Sequence, residues 1–229
     1  MKKSPEIWAQ EIHENAVAHG WWIEDRDFGE ICALIHSELS EALEEYRDSR
    51  PMIYYHCGLD THVCVPQFCA DINRDPIYVE EPCDNRKDKP EGIAVELADV
   101  VIRIFDYFGK ADIVPKWNIF DPVEYLRSMI DLKGLELHDA LQSAAYTAAE
   151  AAIEHDDYKS FGDFIANCHA DISTAYDAGT REGISVYLQT CVARIAEWLR
   201  ENGVDLETVI EAKHEYNKSR PYRHGGKAI

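Results

Sequence analysis

The chain reads as an all-α protein on three observations. Apolar residues recur at three- and four-residue spacing through most of its length, Ser, Asp and Pro stand where helices should begin, and period-two alternation is missing outside one Cys-rich stretch. A content of 46% hydrophobic residues in a 229-residue chain is enough for a real core. We read a single all-α domain over 1–229, with a Cys-rich irregular insertion at 51–92 and additional helices at 110–202. No apolar segment follows Met1-Lys2-Lys3 and no run approaches the length of a membrane span, so the expectation is a cytoplasmic protein without a membrane partner. The formal charge of -20 repels nucleic acid.

Ser4-Pro5-Glu6 starts the first helix with a capping hydroxyl, a proline at the first helical position and an acid in the first turn. Ile7, Trp8, Ile12, Ala16 and Val17 should form its apolar face, and Gly20 ends it. Trp21 and Trp22 follow, to be read either as a hydrophobic anchor at the corner or as a platform for a base. A second helix is expected from about Asp27 to Arg47, stopped by Ser49-Arg50-Pro51. Between 51 and 92, prolines and glycines break any helical period, and Cys57, Cys64, Cys69 and Cys83 gather near His56 and His62. A structural Zn2+ would hold such a loop together; partly buried thiols are the other reading, since the spacings contain no C-x-x-C knuckle. Helix returns from Glu91 to Phe108 with Gly109 as its stop. After a Pro-containing linker, helices are expected at 123–132, 137–153 with an Ala-rich packing face, 161–176, 183–200 and 204–217.

Two acidic pairs stand out. Glu38 and Glu41 lie three apart on the second helix, and Glu96 and Asp99 repeat that spacing inside an apolar run from Ile93 to Ile104. Three residues is nearly one turn, so each pair shares a stripe. Like charges on one face repel, and acids embedded in apolar sequence are costly unless compensated. Four oxygen donors suit Mg2+ or Mn2+ and disfavour zinc.

The C-terminus reverses the overall charge: from Lys213 to Lys227 there are five Lys or Arg against one acid, Glu215. Pro221 and Gly225-Gly226 give that segment the character of a shaped turn. An anion contact at Lys213, Arg220 and Lys227, with Asn217 one turn beyond Lys213, is the functional reading; a solvated basic end is the other. A faint internal echo is also present. Arg194-Ile195 matches Arg103-Ile104 within apolar helices, which sets Tyr187 and Thr190 where Glu96 and Asp99 stand. Ala149-Glu150-Ala151 matches Ser40-Glu41-Ala42. The region 110–202 would then be a degenerate second repeat, packed against the first as a partner subunit would be.

Glu38-x-x-Glu41 followed by Glu96-x-x-Asp99 resembles the metal-binding signature of the MazG-like all-α nucleoside triphosphate pyrophosphohydrolases. Asn15-Ala16-Val17-Ala18-His19-Gly20-Trp21-Trp22 and the tail from Glu215 to Lys227 are similar to the ends of small bacterial and phage members. The resemblance covers 5–50, 90–109 and 203–228. It departs in having Ser37 where many members carry an acid, and in the wide separation of the two acidic pairs. The resemblance implies hydrolysis of a (deoxy)nucleoside triphosphate between the α and β phosphates, giving a monophosphate and pyrophosphate. It implies Mg2+ at Glu38, Glu41, Glu96 and Asp99, with Glu38 and Glu41 closest to the chemistry, since one carboxylate could orient the attacking water. Substrate contacts would fall to Trp21, Trp22, Arg103, Lys213, Asn217, Arg220, Tyr222, His224 and Lys227. Arg103 could instead pair with the acidic cluster. A helical homo-dimer or tetramer is implied as well, although an internal repeat would let one chain supply both halves.

Two rival readings come from other classes. A non-catalytic nucleotide-binding or regulatory helical module would keep the scaffold without turnover. A di-iron carboxylate protein would also use acids on helices, but it needs Glu-x-x-His twice, and Glu211-x-x-His214 is the clear instance here.

Overall fold

The computed structural model describes residues 3–56, 63–64, 89–115 and 158–223, and within them the architecture is helical. The helices are α1 (Pro5–Ala18), α2 (Phe28–Arg47), α3 (Ile93–Ala111), α4 (Phe161–Ala178), α5 (Arg181–Glu201) and α6 (Leu206–Lys218). The helices expected at 123–132 and 137–153, with their Ala-rich face and the Ala149-Glu150-Ala151 echo, lie outside the described residues. Among those described, no helix is long and apolar enough to cross a membrane.

Local chemistry sets the helix starts. Ser4 Oγ accepts from Ile7 N, Asp27 from Glu30 N, Ser160 from Asp163 N and Thr180 from Gly183 N. α3 is the most apolar helix and forms the axis, with α1, α2, α5 and α6 packed around it. Its Val95, Leu97, Ala98, Val100, Val101, Ile104, Phe105 and Phe108 are fully enclosed. A wide apolar arc is what a helix packed against several neighbours requires, and its polar residues Glu96, Asp99, Arg103 and Asp106 fall outside that arc.

Two expectations about the first lobe need correction. Gly109 lies inside α3, which runs on to Ala111 and ends at Asp112 in the left-handed conformation. A Cβ at Gly109 would sit 2.8 Å from Ala9 O and 2.5 Å from His13 Cβ, so this glycine sets how closely α1 approaches α3. On α1 the buried stripe is Trp8, Ala9, Ile12 and Ala16, whereas Ile7 and Val17 are exposed.

Within the insertion, β1 (Tyr54–His56) pairs antiparallel with β2 (Val63–Cys64) on one side and β3 (Pro90–Glu91) on the other. Tyr54 opposes Glu91 and Tyr55 opposes Pro90, so the two ends of the insertion are stitched together. Gly92 makes the turn into α3 at φ 112°, where a Cβ would strike Pro51 O at 2.6 Å, and Ala94 N donates to Met52 O. The end of α2 and the start of α3 are therefore held side by side, however long the loop between β1 and β3.

α2 and α4 run antiparallel. Phe28 at the start of α2 stacks on Tyr176, Phe161 at the start of α4 stacks on Tyr46 with centroids 4.5 Å apart, and His36 meets His169 midway. His36 and His169 are 133 residues apart. The same register sets Phe28 on Phe161, Gly29 on Gly162, Ser40 on Ser173 and Ala42 on Ala175. It also matches the caps Asp27 and Ser160, and the hydroxyls of Ser40 and Ser173, each donating to the histidine carbonyl four residues back. His36 meeting its own counterpart is what the axis of a two-fold interface between identical subunits gives, here inside one chain; the aromatic pairs follow it only to within one helical turn, since Tyr176 corresponds to Leu43 and not to Tyr46. α4 is thus the counterpart of α2 among the described residues.

Candidate functional site

The stitched insertion brings the two acidic stripes face to face. One carboxylate oxygen each from Glu38, Glu41 and Glu96 lies within 4.8 Å of the other two. Glu38 and Glu96 are buried, and Glu41 is exposed at the edge. Oxygens around Mg2+ at ~2.1 Å lie at most about 4.2 Å apart, and around Ca2+ at ~2.5 Å about 5 Å. The trio therefore has the spacing of a hard-cation site that closes by a few tenths of an ångström on the smaller ion.

Asp99 stands one turn beyond Glu96 and is engaged by Lys213, with Nζ 2.6 Å from Oδ2. Lys213 comes from α6 and its side chain is only 3% exposed. It serves as an internal counter-ion, placed inside the fold and not on the solvated tail. Arg103, one turn further along α3, directs Nε and Nη2 at the same oxygen of Glu38, Oε1, each at 2.5 Å. Four carboxylates against these two bonded cations leave an excess of negative charge.

That excess shows in the protonation equilibria. Burial raises the pKa of Glu96 to about 8, with Asp99 and Glu38 adding to the rise and Lys213 opposing it. Burial likewise raises Glu38, which Arg103 partly offsets while Asp99 and Glu41 add to it. Burial alone would lower Lys213, but Asp99 and Glu96 more than reverse this and raise it. Carboxylates that resist ionisation despite two neighbouring cations are suited to a divalent ion. No other group of three or more such ligands occurs among the described residues.

The C-terminal segment folds back on the α1–α2 corner. Arg223 N donates to His19 O, Arg223 Nε lies 3.3 Å from Gly20 O, and His19 bridges the carbonyls of Asn15 and Arg220. Gly20, at φ 80°, lies so close under Tyr222 that a Cβ would meet its ring at 2.3 Å. The guanidinium of Arg220 lies 5.8 Å over the Tyr216 ring. Asn217 has its Oδ1 buried without a hydrogen bond. His224 and Lys227 lie outside the described residues.

At the corner itself, Trp22 Nε1 donates to Asp106 Oδ1 at 2.8 Å, and His13 Nδ1 approaches the same oxygen at 2.7 Å. Trp21 and Trp22 both face Arg26, whose carbon lies 5.6 and 5.9 Å from their rings. Arg26, Arg223, His13 and Asp106 were not singled out by sequence reasoning. Arg26 sits between Asp25 and Asp27 and looks like part of a solvated turn; the adjacent Trp pair was the available signal.

Of the Cys-rich loop, Cys57, Cys69 and Cys83 lie outside the described residues and the side chain of Cys64 is not described, so the zinc reading falls there too. Cys32, Cys168 and Cys191 are buried free thiols. His214, half of the Glu-x-x-His pair, lies edge-on to Trp8 and 4.0 Å from Glu11, apart from the acidic trio, and Glu211 is exposed.

The pair α4–α5 repeats the frame of α2–α3 with one carboxylate in place of four. Asp171, the counterpart of Glu38, pairs with Arg194 at 2.9 Å, as Glu38 pairs with Arg103. Thr174 replaces Glu41, Tyr187 replaces Glu96 and Thr190 replaces Asp99. Comparison of the chain with protein-family models, with curated proteins and with solved structures gave no match.

Proposed function

We propose that the protein is a Mg2+-dependent hydrolase of (deoxy)nucleoside triphosphates, releasing a nucleoside monophosphate and pyrophosphate. The observation that carries this reading is the convergence of Glu38, Glu41 and Glu96 within 4.8 Å, beside a C-terminal segment rich in arginine. Mg2+ or Mn2+ held there supplies charge for the phosphate oxygens and an activated water. The chain's own residues do the rest. Arg103 holds Glu38 through Oε1. Lys213 holds Asp99 in place. Glu41, the exposed member, is positioned to orient water at the mouth of the site. Trp21 and Trp22 bound the far side of the corner, where a base could stack.

α4 packs along α2 within the same chain, so in this proposal one chain can supply both halves. The test is incubation with a panel of ribo- and deoxyribonucleoside triphosphates and Mg2+, assayed for pyrophosphate. Release from at least one nucleotide is expected. No release from any, with metal and nucleotide in excess, refutes the hydrolase and leaves a nucleotide-binding or regulatory module.

A further inference from the structure

Arg26 holds a charge that its surroundings do not balance. Its side chain is only 6% exposed, and its Nε and Nη2 are buried without a hydrogen-bond partner. The nearest carboxylate oxygen, on Glu30, is 3.8 Å from Nε, too far for a hydrogen bond. Asp106 Oδ1 is already used by Trp22 and His13. Burial lowers the pKa of Arg26; Glu30 and Asp106 oppose this, while the positive charges of Arg103 and Arg223 add to it. Arg220 is in turn within electrostatic reach of Arg103 and Asp99. A buried guanidinium without a bonded anion is expensive, and neighbouring arginines add to the cost.

The partner that would relieve this is an anion with several oxygens and more than one charge. Guanidinium forks match phosphate oxygens in pairs, and the rings of Trp21 and Trp22 flank the Arg26 group. Arg103 links the cluster to the acidic trio, because its guanidinium is bonded to Glu38. An anion seated among the arginines would therefore lie next to the carboxylates.

We propose that Arg26, with Arg103, Arg220 and Arg223, seats a pyrophosphate group, the terminal two phosphates of a polyphosphate ligand. Identifying that group with the half of a nucleotide that leaves rests on the hydrolase reading above; the requirement for a polyphosphate does not. A single phosphate satisfies fewer forks and is bound less well.

The experiment is calorimetric titration of the intact chain with sodium pyrophosphate in EDTA, with inorganic phosphate in parallel. Pyrophosphate is expected to bind at least about tenfold more tightly than phosphate, and Arg26→Met to weaken it at least about tenfold. The thermal midpoint of Arg26→Met should be unchanged or raised, because an unpaired buried charge has been removed. No pyrophosphate binding by the unaltered chain, no preference over phosphate, or undiminished binding in Arg26→Met overturns the proposal. A fall in the midpoint of a folded Arg26→Met that still binds pyrophosphate assigns Arg26 a structural role and does the same. Should Arg26→Met fail to fold, Arg223→Gln replaces it: binding weakened about three- to tenfold supports the site, and unchanged binding overturns it. Pyrophosphate binding that depends on Arg26 in a chain that hydrolyses no nucleotide would refute the hydrolase and leave this site standing. Hydrolysis unaffected by Arg26→Met would do the reverse.

Discussion

The pair α2–α3 and the pair α4–α5 share a plan and differ in one respect. Both join an acid on the first helix to an arginine on the second, Glu38 to Arg103 and Asp171 to Arg194. Arg194 is nearly enclosed, at 3% side-chain exposure, and donates from Nη1 to Tyr158 OH, whereas the side chain of Arg103 is 37% exposed. Only the first pair adds Glu41, Glu96 and Asp99; the second has Thr174, Tyr187 and Thr190, of which Thr174 and Thr190 turn their hydroxyls back to their own helix. The arginine–acid bond is thus part of the frame. The additional carboxylates, which the frame does not need, are what makes the first lobe a site.

The largest effect that sharpens this contrast is on turnover. Glu38→Gln is expected to lower pyrophosphate release by about 10^3-fold or more with helical circular dichroism unchanged, while Asp171→Asn leaves the rate per folded molecule as it was. Equal loss in both variants would break the distinction. Stability should show the opposite bias. Arg194→Met strands Asp171 in a buried position and should cost about 3–5 kcal/mol in urea denaturation. Arg103→Met likewise strands the buried Glu38, but Lys213 stays within electrostatic reach of it, so the cost should be smaller, about 1–3 kcal/mol. Gly109→Ala pushes α1 from α3 and should cost about 1–3 kcal/mol, whereas the corresponding position of the second lobe, Arg200, is on the surface and Arg200→Ala should leave the midpoint where it is.

The smallest effect is on pH dependence. Burial lowers the pKa of His36, of His169 and of His214, the last to about 4. A histidine depressed in the folded state takes up its proton first in the unfolded chain. The contribution of these histidines should therefore be full above about pH 6.5 and fall as the pH drops toward 4, against the opposite slope of the raised Glu96, and is read as the difference in urea midpoints between the unaltered chain and His214→Gln across that range. His214→Gln should flatten the slope; an unchanged slope would acquit His214.

Much of the frame was legible because capping is local. Ser4-Pro5, Asp27 and Ser49-Arg50-Pro51 marked their helix ends without knowledge of the fold. Gly109 was misread because a glycine that stops a helix and one that admits a neighbour look alike until the neighbour is known. The displaced stripe on α1 has a related cause: Ile7 and Val17 satisfy the period but fall outside the arc that α3 covers. The matching of α2 with α4 was available in Phe-Gly-acid followed by His seven residues after the glycine, a signal carried by packing residues and not by the acidic pairs. The convergence of Glu38, Glu41 and Glu96 could be read from spacing, whereas the engagement of Asp99 by Lys213 could not. Arg26 could not, since nothing in Asp25-Arg26-Asp27 shows that two indoles will enclose the middle residue.

One contact at the joint between the lobes has a consequence for symmetry. His36 Nδ1 and His169 Nδ1 are 2.7 Å apart, on rings stacked at 4.9 Å. Two nitrogens at that distance share a single proton, so one imidazole is the donor and its twin the acceptor at any instant. Equivalent positions in a duplicated sequence are thereby forced into unlike tautomers. A nitrogen-15 spectrum should resolve them as two different rings, or as one averaged signal if the proton hops between them.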